Sequence, residues 1–214
     1  MFSNLQKITV LETLTLECYQ MDRECGMALA NLLQTNGPLQ VVHVGFNTRP
    51  AECGVAIANA LSANTNITTF DFSVNDLGRG ASLAFSQVLA ANACRLNYLN
   101  LSKNMLRDDG CAGLALALRT NTTLKALVLS ETLITDIACV ALASSLAVST
   151  SLELLDLSNN KVCDHGCVAL SRALKSNHSS LNNLNLSGNQ VGDVGGIAIA
   201  MALATNTTLH TLNL

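Results

Sequence analysis

The chain matches itself every 28 or 29 residues, and this period constrains the fold more than any other feature. Copies start at Leu11, Leu39, Ile67, Leu96, Leu124, Leu152, Leu181 and Leu209; those at Ile67 and Leu152 are 29 residues long. Each opens with L-x-x-L-x-L, clearest in LELLDLSNN (Leu152 to Asn160) and LNNLNLSGN (Leu181 to Asn189). Apolar residues at the fourth and sixth positions alternate with polar ones, the period of a strand. The ninth position carries Asn47, Asn75, Asn104, Asn160 and Asn189. A buried Asn at a turn can satisfy backbone groups left unpaired by the bend, so a stacked row predicts a hydrogen-bonding ladder.

The second half of each copy changes period. GCAGLALALRTN (Gly110 to Asn121) and GCVALSRALKSN (Gly166 to Asn177) put small and apolar residues at helical spacing. Asp108, Asp136, Asp164 and Asp193 fall just before the expected helix, where they read as N-caps. Asn36, Asn64, Asn92, Asn121, Asn177 and Asn206 recur just after it, where a left-handed residue often ends a helix. One strand–turn–helix unit cannot bury its own apolar face, whereas a stack of them can. The expectation is one α/β solenoid over residues 1–214, of about seven and a half repeats. Parallel strands would line the concave side and helices the convex side. With aromatic residues at 3% and no Trp, the core is expected to be aliphatic, chiefly Leu and Ala.

The pattern LxxLxLxxN, followed by a helix of the LAxAL type and ending in Asn, resembles the ribonuclease-inhibitor class of leucine-rich repeats, and seven such units cover essentially the whole chain. Similar arrays occur in ribonuclease inhibitor, in the sensor ends of NOD-like receptors, in the Ran GTPase-activating protein and in tropomodulin-like proteins. The resemblance implies a curved horseshoe that grips a protein partner, as part of a larger sensor or scaffold. Its Ran-type variant implies a loop arginine acting in GTP hydrolysis, and Arg49 in FNTRP occupies such a loop. That loop is not extended, and the acidic tail typical of the variant is missing here.

Composition narrows the partner class. Net charge is −3, from 12 basic and 15 acidic residues, which gives no electrostatic footprint for nucleic acid. No apolar run approaches a membrane span, and the segment MFSNLQKITV has no signal-peptide core. The eight cysteines mostly fall where a repeat needs a small buried residue, which reads as reduced core thiols in a cytoplasmic protein. Six N-x-S/T triplets are then by-products of the repeat. Both ends look unfinished: Leu5 precedes Leu11 as Leu33 precedes Leu39, and TLNL stops on a strand. The sequence reading therefore expects a fragment of a longer array, covered ends, or self-association through uncapped repeats.

Strand side chains pointing away from the core predict where a partner sits. The fifth-position row runs Thr15, His43, Asp71, Asn100, Val128, Asp156, Asn185 and Asn213, and the seventh is mostly serine. Tyr98 and Phe46 are the aromatic anchors on this side, with Asp71 and Asp156 as charge contacts and His43, Asn100 and Lys103 beside them. The loop edge is a second candidate, basic early through Arg23, Arg49, Arg79 and Arg107, and acidic late through Asp136, Asp164 and Asp193. Catalytic and cofactor readings lose. His43, Asp71 and Ser73 face one side, but no strained elbow or oxyanion donors accompany them. Cys163-Asp-His-Gly-Cys167 offers three metal ligands where structural zinc wants four.

Overall fold

The computed structural model describes residues 10–17, 21–35, 37–45 and 51–214. Strands and helices alternate throughout: β1 (Thr13–Glu17), α1 (Arg23–Gln34), β2 (Val41–Gly45), α2 (Ala51–Ser62), β3 (Thr69–Asp71), α3 (Arg79–Ala91), β4 (Tyr98–Asn100) and α4 (Arg107–Leu118). They continue with β5 (Ala126–Val128), α5 (Asp136–Leu146), β6 (Leu154–Asp156), α6 (Asp164–Lys175), β7 (Asn183–Asn185), α7 (Asp193–Leu203) and β8 (Thr211–Asn213). The strands form one parallel sheet in chain order, β1 to β8. The register keeps equal repeat positions abreast: Tyr98 lies beside Thr69 and Ala126, and Leu154 beside Ala126 and Asn183. The expected α/β solenoid is therefore what forms.

Burial follows the repeat. Position one (Ile67, Leu96, Leu124, Leu152), position four (Phe70, Leu99, Leu127, Leu155) and position six (Phe72, Leu101, Leu129, Leu157) are all fully buried. Between them, positions three and five are half-exposed, so one face of the sheet meets the helices and the other stays open. The core departs from the aliphatic expectation in one place. Phe70, Phe72 and Phe85 meet in the third repeat with ring centroids 5.7, 6.0 and 6.1 Å apart. Elsewhere these positions hold Leu99, Leu101 and Leu114, or their equivalents.

The turn after each strand explains the ninth-position Asn. The eighth residue is left-handed in five successive repeats: Val74, Lys103, Glu131, Asn159 and Gly188, with φ between 54° and 69°. Gly188 also answers to space, since a Cβ there would collide with the Asn159 side chain. This bend strands carbonyls that the next residue collects. Asn104 Nδ2 donates to Phe72 O (2.9 Å) and Leu101 O (3.0 Å), and Asn160 Nδ2 to Leu129 O (2.8 Å) and Leu157 O (3.0 Å). The Oδ1 atoms accept from the preceding repeat, Asn104 from Leu77 N and Asn160 from Thr132 N and Ile134 N. Thr132 interrupts the row; its hydroxyl bonds its own Leu129 O at 2.7 Å and Asn160 Oδ1 at 3.3 Å. Asn47 lies outside the described residues.

The aspartates do something other than expected. Asp136, Asp164 and Asp193 are the first residues of their helices and Asp108 the second; the N-cap positions belong to Leu106, Thr135, Cys163 and Gly192. The carboxylates of Asp108, Asp136 and Asp164 cap the following helix instead. Asp108 accepts from Thr135 N (2.8 Å), Asp136 from Cys163 N (2.7 Å), and Asp164 from Gly192 N (2.8 Å) and Gly195 N (2.9 Å). Gly195 is what lets Asp164 approach, because a Cβ there would stand 2.7 Å from Asp164 Oδ1.

The asparagines after the helices also divide. Among those in the described residues, only Asn92 and Asn177 are left-handed, both in the 29-residue repeats; Asn92 Nδ2 reaches forward to Thr120 O and Asn177 Nδ2 to Thr205 O. Asn64, Asn121 and Asn206 reach back, to Leu33 O (2.6 Å), Leu89 O (2.8 Å) and Leu174 O (2.8 Å). Their Oδ1 atoms close the turn onto Ile67 N, Leu124 N and Leu209 N. Asn36 is outside the described residues. In the fifth repeat this place holds Ser149, whose hydroxyl is buried and without a partner. The backbone matches, with Ser149 N on Ser145 O as Asn121 N is on Ala117 O. Ser149→Asn is expected to bond Leu118 O and Leu152 N and to add about 1 kcal/mol of stability. A raised denaturant midpoint at unchanged slope checks it; a lowered midpoint would mean the side chain does not fit.

Candidate functional site

The open face of the sheet is built from positions three and five. At its centre Tyr98, Ala126 and Leu154 lie abreast on β4, β5 and β6, with Asn100, Val128 and Asp156 abreast beside them. All six are half-buried. The register thus brings together an apolar floor of one phenol ring, two branched aliphatic side chains and one methyl group.

Carboxylates stand on either side of that floor. Asp71 Oδ1 accepts from Ser73 N at 2.9 Å, and Oδ2 accepts from Asn100 Nδ2 at 3.1 Å. Asp156 repeats the pattern with Ser158 N (2.8 Å) and Asn185 Nδ2 (3.1 Å). Asn100 and Asn185 close the same turn onto Ser102 N and Ser187 N. The fifth position therefore has a structural duty that the sequence reading missed: an Asx side chain holds the strand exit. One signal was present, the run of Asp and Asn two residues before serine. Val128 breaks this run and leaves two Asp–Asn pairs flanking an apolar gap.

The remaining site residues fall around this centre. His43 Nδ1 lies 3.6 Å from Asp71 Oδ2 across neighbouring strands. What Asp71 receives from Ser73 is the backbone N–H. Lys103 sits in the left-handed turn rather than on the strand, 3.6 Å from Glu131, and Lys125 lies 2.9 Å from Glu153. These four side chains are exposed, so the pairs add little stability. Burial raises the Tyr98 hydroxyl pKa, and the negative charges of Asp71 and Asp156 add to the shift. The phenol therefore stays protonated and within electrostatic reach of both acids. Phe46 and Arg49 lie outside the described residues.

The loop edge offers less than expected. The carboxylates of Asp136 and Asp164 are taken up by backbone of the next repeat, and Arg79 is 3.8 Å from Asp109 in a fully exposed pair. Cys163 and Cys167 do not share an environment. Cys163 is half-buried at the start of α6, with Sγ 3.6 Å from Gln190 Oε1. Cys167 is buried in a row with Cys111 and Cys139. Burial pushes its thiol up to about 11, with Asp136 and Asp164 adding to the effect, and pushes Cys139 up to about 12. Such thiols stay protonated at neutral pH and are poor ligands and nucleophiles. Among the described residues no three His, Cys, Asp or Glu side chains converge as a metal site. None of the described helices is long and apolar enough to cross a membrane.

Comparison with known proteins places these features. A family model described as Leucine Rich repeat matches residues 93–115, 120–143, 148–171 and 177–200. Each match spans one strand and enters the helix after it. No curated protein matches the chain at a significant level. Among solved structures, actin-binding site 2 of leiomodin-1 superposes with a TM-score of 0.54 at 24% identity, covering 63% of this chain and 78% of that one. An internalin (inlF) from Listeria monocytogenes superposes with a TM-score of 0.55 at 20% identity, covering 99% of this chain and 56% of its own length. The present chain thus spans little more than half of that internalin. At these identities the likeness is one of fold. Four leucine-rich-repeat matches between residues 93 and 200, equal repeat positions abreast and a single parallel sheet backed by helices give the chain the fold of an α/β leucine-rich-repeat solenoid.

Proposed function

We propose that this chain is a protein-recognition array of the ribonuclease-inhibitor type that takes its partner on the open face of the sheet. The 28- and 29-residue repeats with a full helix in each support that class. The observation that carries the reading is the composition of the centre of the face. Tyr98, Ala126, Val128 and Leu154 form an apolar floor, and Asp71 and Asp156 rim it. An apolar centre with a charged rim is the anatomy of a protein interface. A tyrosine at the middle is the residue type that most often carries its energy. The matching partner seats an apolar side chain on Tyr98 and Leu154 and brings lysine or arginine to the acids. One of the similar structures is itself an actin-binding site, that of leiomodin-1.

The test is capture from cell lysate by immobilised wild-type chain and by a Tyr98→Ala, Asp71→Asn double variant. Asn at 71 can still accept from Ser73 N, so the turn is kept while the charge is lost. A protein held by the wild type and depleted about tenfold or more by the variant is the expected result. Equal retention by both, or nothing specific on either, counts against this face.

A further inference from the structure

The starts of the strands carry a second feature. The first residue of each repeat turns into the core: Leu39, Ile67, Leu96 and Leu124 are no more than 6% exposed. Its neighbours on both sides stand up as two polar rows, and between them runs a groove of about 720 Å³ across the starts of β2, β3, β4 and β5. Asn66 and Arg95 belong to one wall; Gln40, Thr68, Asn97 and Lys125 form the other.

The backbone carbonyls along the second wall of this groove are taken up. The carbonyls of Gln40, Thr68 and Asn97 each accept two N–H groups from the next repeat, at 2.7 to 3.1 Å. Recognition there falls to side chains, and most of those are also engaged. Thr68 donates to Gln40 O (3.3 Å), Asn66 to Gly37 O (2.9 Å), and Lys125 is held by Glu153 (2.9 Å). The exposed side chains of Gln40, Arg95 and Asn97 remain without a hydrogen bond or ion pair among the described residues. The third repeat is one residue longer, and three residues rather than two separate Asn92 from Leu96. That extra residue forms part of the turn that carries Arg95.

We propose that this groove binds an extended acidic peptide segment, with a carboxylate on Arg95 and the peptide main chain on the Gln40 and Asn97 amides. A guanidinium fork matches a carboxylate in geometry as well as charge. A primary amide supplies one donor and one acceptor together, which is what a peptide group requires. Glu12, abreast of Gln40, and Glu153, paired with Lys125 at 2.9 Å, stand at the two ends of the groove, while Arg95 between them has no ion pair among the described residues. Strands stand about 4.8 Å apart, so three steps give about 14 Å, room for four or five extended residues. This site is separate from the open-face centre and does not depend on it.

Fluorescence anisotropy of the full chain with fluorescein-labelled hexaglutamate, and with its hexaglutamine counterpart, tests the assignment. Hexaglutamate is expected to bind, and hexaglutamine about tenfold or more weakly. Arg95→Glu is expected to weaken hexaglutamate binding about tenfold or more, Asn97→Ala by about threefold, and Tyr98→Ala not at all. A thermal melt accompanies each variant, and Arg95→Gln replaces Arg95→Glu if the latter melts early. Failure of wild type to bind hexaglutamate, or equal binding by the Arg95 variant, overturns the proposal. So does binding of the two peptides with equal affinity.

Discussion

Phe72→Ala is expected to lower the stability of the array by about 3–5 kcal/mol. Phe72 is fully buried and touches two further rings, Phe70 at 5.7 Å and Phe85 at 6.1 Å between centroids. Truncation removes the ring from the core and leaves two aromatic neighbours facing a void. Phe72→Leu copies the residue that neighbouring repeats use, Leu101 and Leu129. It still leaves a gap, because Phe70 and Phe85 are sized to a third ring, and it should cost about 1–2 kcal/mol. The three positions are coupled, so losses measured for Phe70→Leu, Phe72→Leu and Phe85→Leu should not add in the triple variant. Chemical denaturation of the wild type and the seven variants of that cycle is the measurement. Strict additivity would show that the rings do not act as a unit.

Asn160→Ala comes next, at about 2–4 kcal/mol. The count of orphaned groups explains the size. Leu129 O keeps a bond from Thr132 Oγ1, and Leu157 O keeps one from Asn189 Nδ2. The N–H groups of Thr132 and Ile134 keep nothing, since Asn160 Oδ1 is their acceptor at 2.9 and 3.1 Å. Asn160→Thr imitates what Thr132 does one repeat earlier, so it should retain the bond to Leu157 O and lose roughly half as much. If both variants unfold at the wild-type midpoint, water replaces the side chain and the ladder is decorative.

The repeat was legible because it is written in side-chain identity. A residue that must be buried on one strand must be buried on the next, so Leu99, Leu127 and Leu155 announce the strands and their register together. The ninth-position Asn was legible for the same reason: a polar side chain repeated among buried ones needs backbone to bond. The direction of the aspartate bonds was not. Asp164 begins α6 whichever helix it caps, and only the rise between repeats brings it to Gly192 N and Gly195 N. The open-face centre was half legible. Tyr98, Asp71 and Asp156 could be placed on one side, but their Asx bonds to Ser73 and Ser158 depend on backbone angles at the strand exit. The groove at Arg95 was invisible, because free amides beside it are recognisable only once every other donor has been assigned.

The two rows of polar side chains point in opposite directions along the chain. Asp108, Asp136 and Asp164 reach forward to the following repeat, while Asn104, Asn160 and Asn189 reach back to the preceding one. This gives synthesis a direction. A repeat emerging from the ribosome completes its predecessor at once, by delivering an asparagine to a waiting carbonyl and a helix start to a waiting carboxylate. Its own carboxylate and the N–H groups of its own loop stay unpaired until the next 28 or 29 residues arrive. Growth from the ribosome would then close like a zipper, one tooth behind the nascent end.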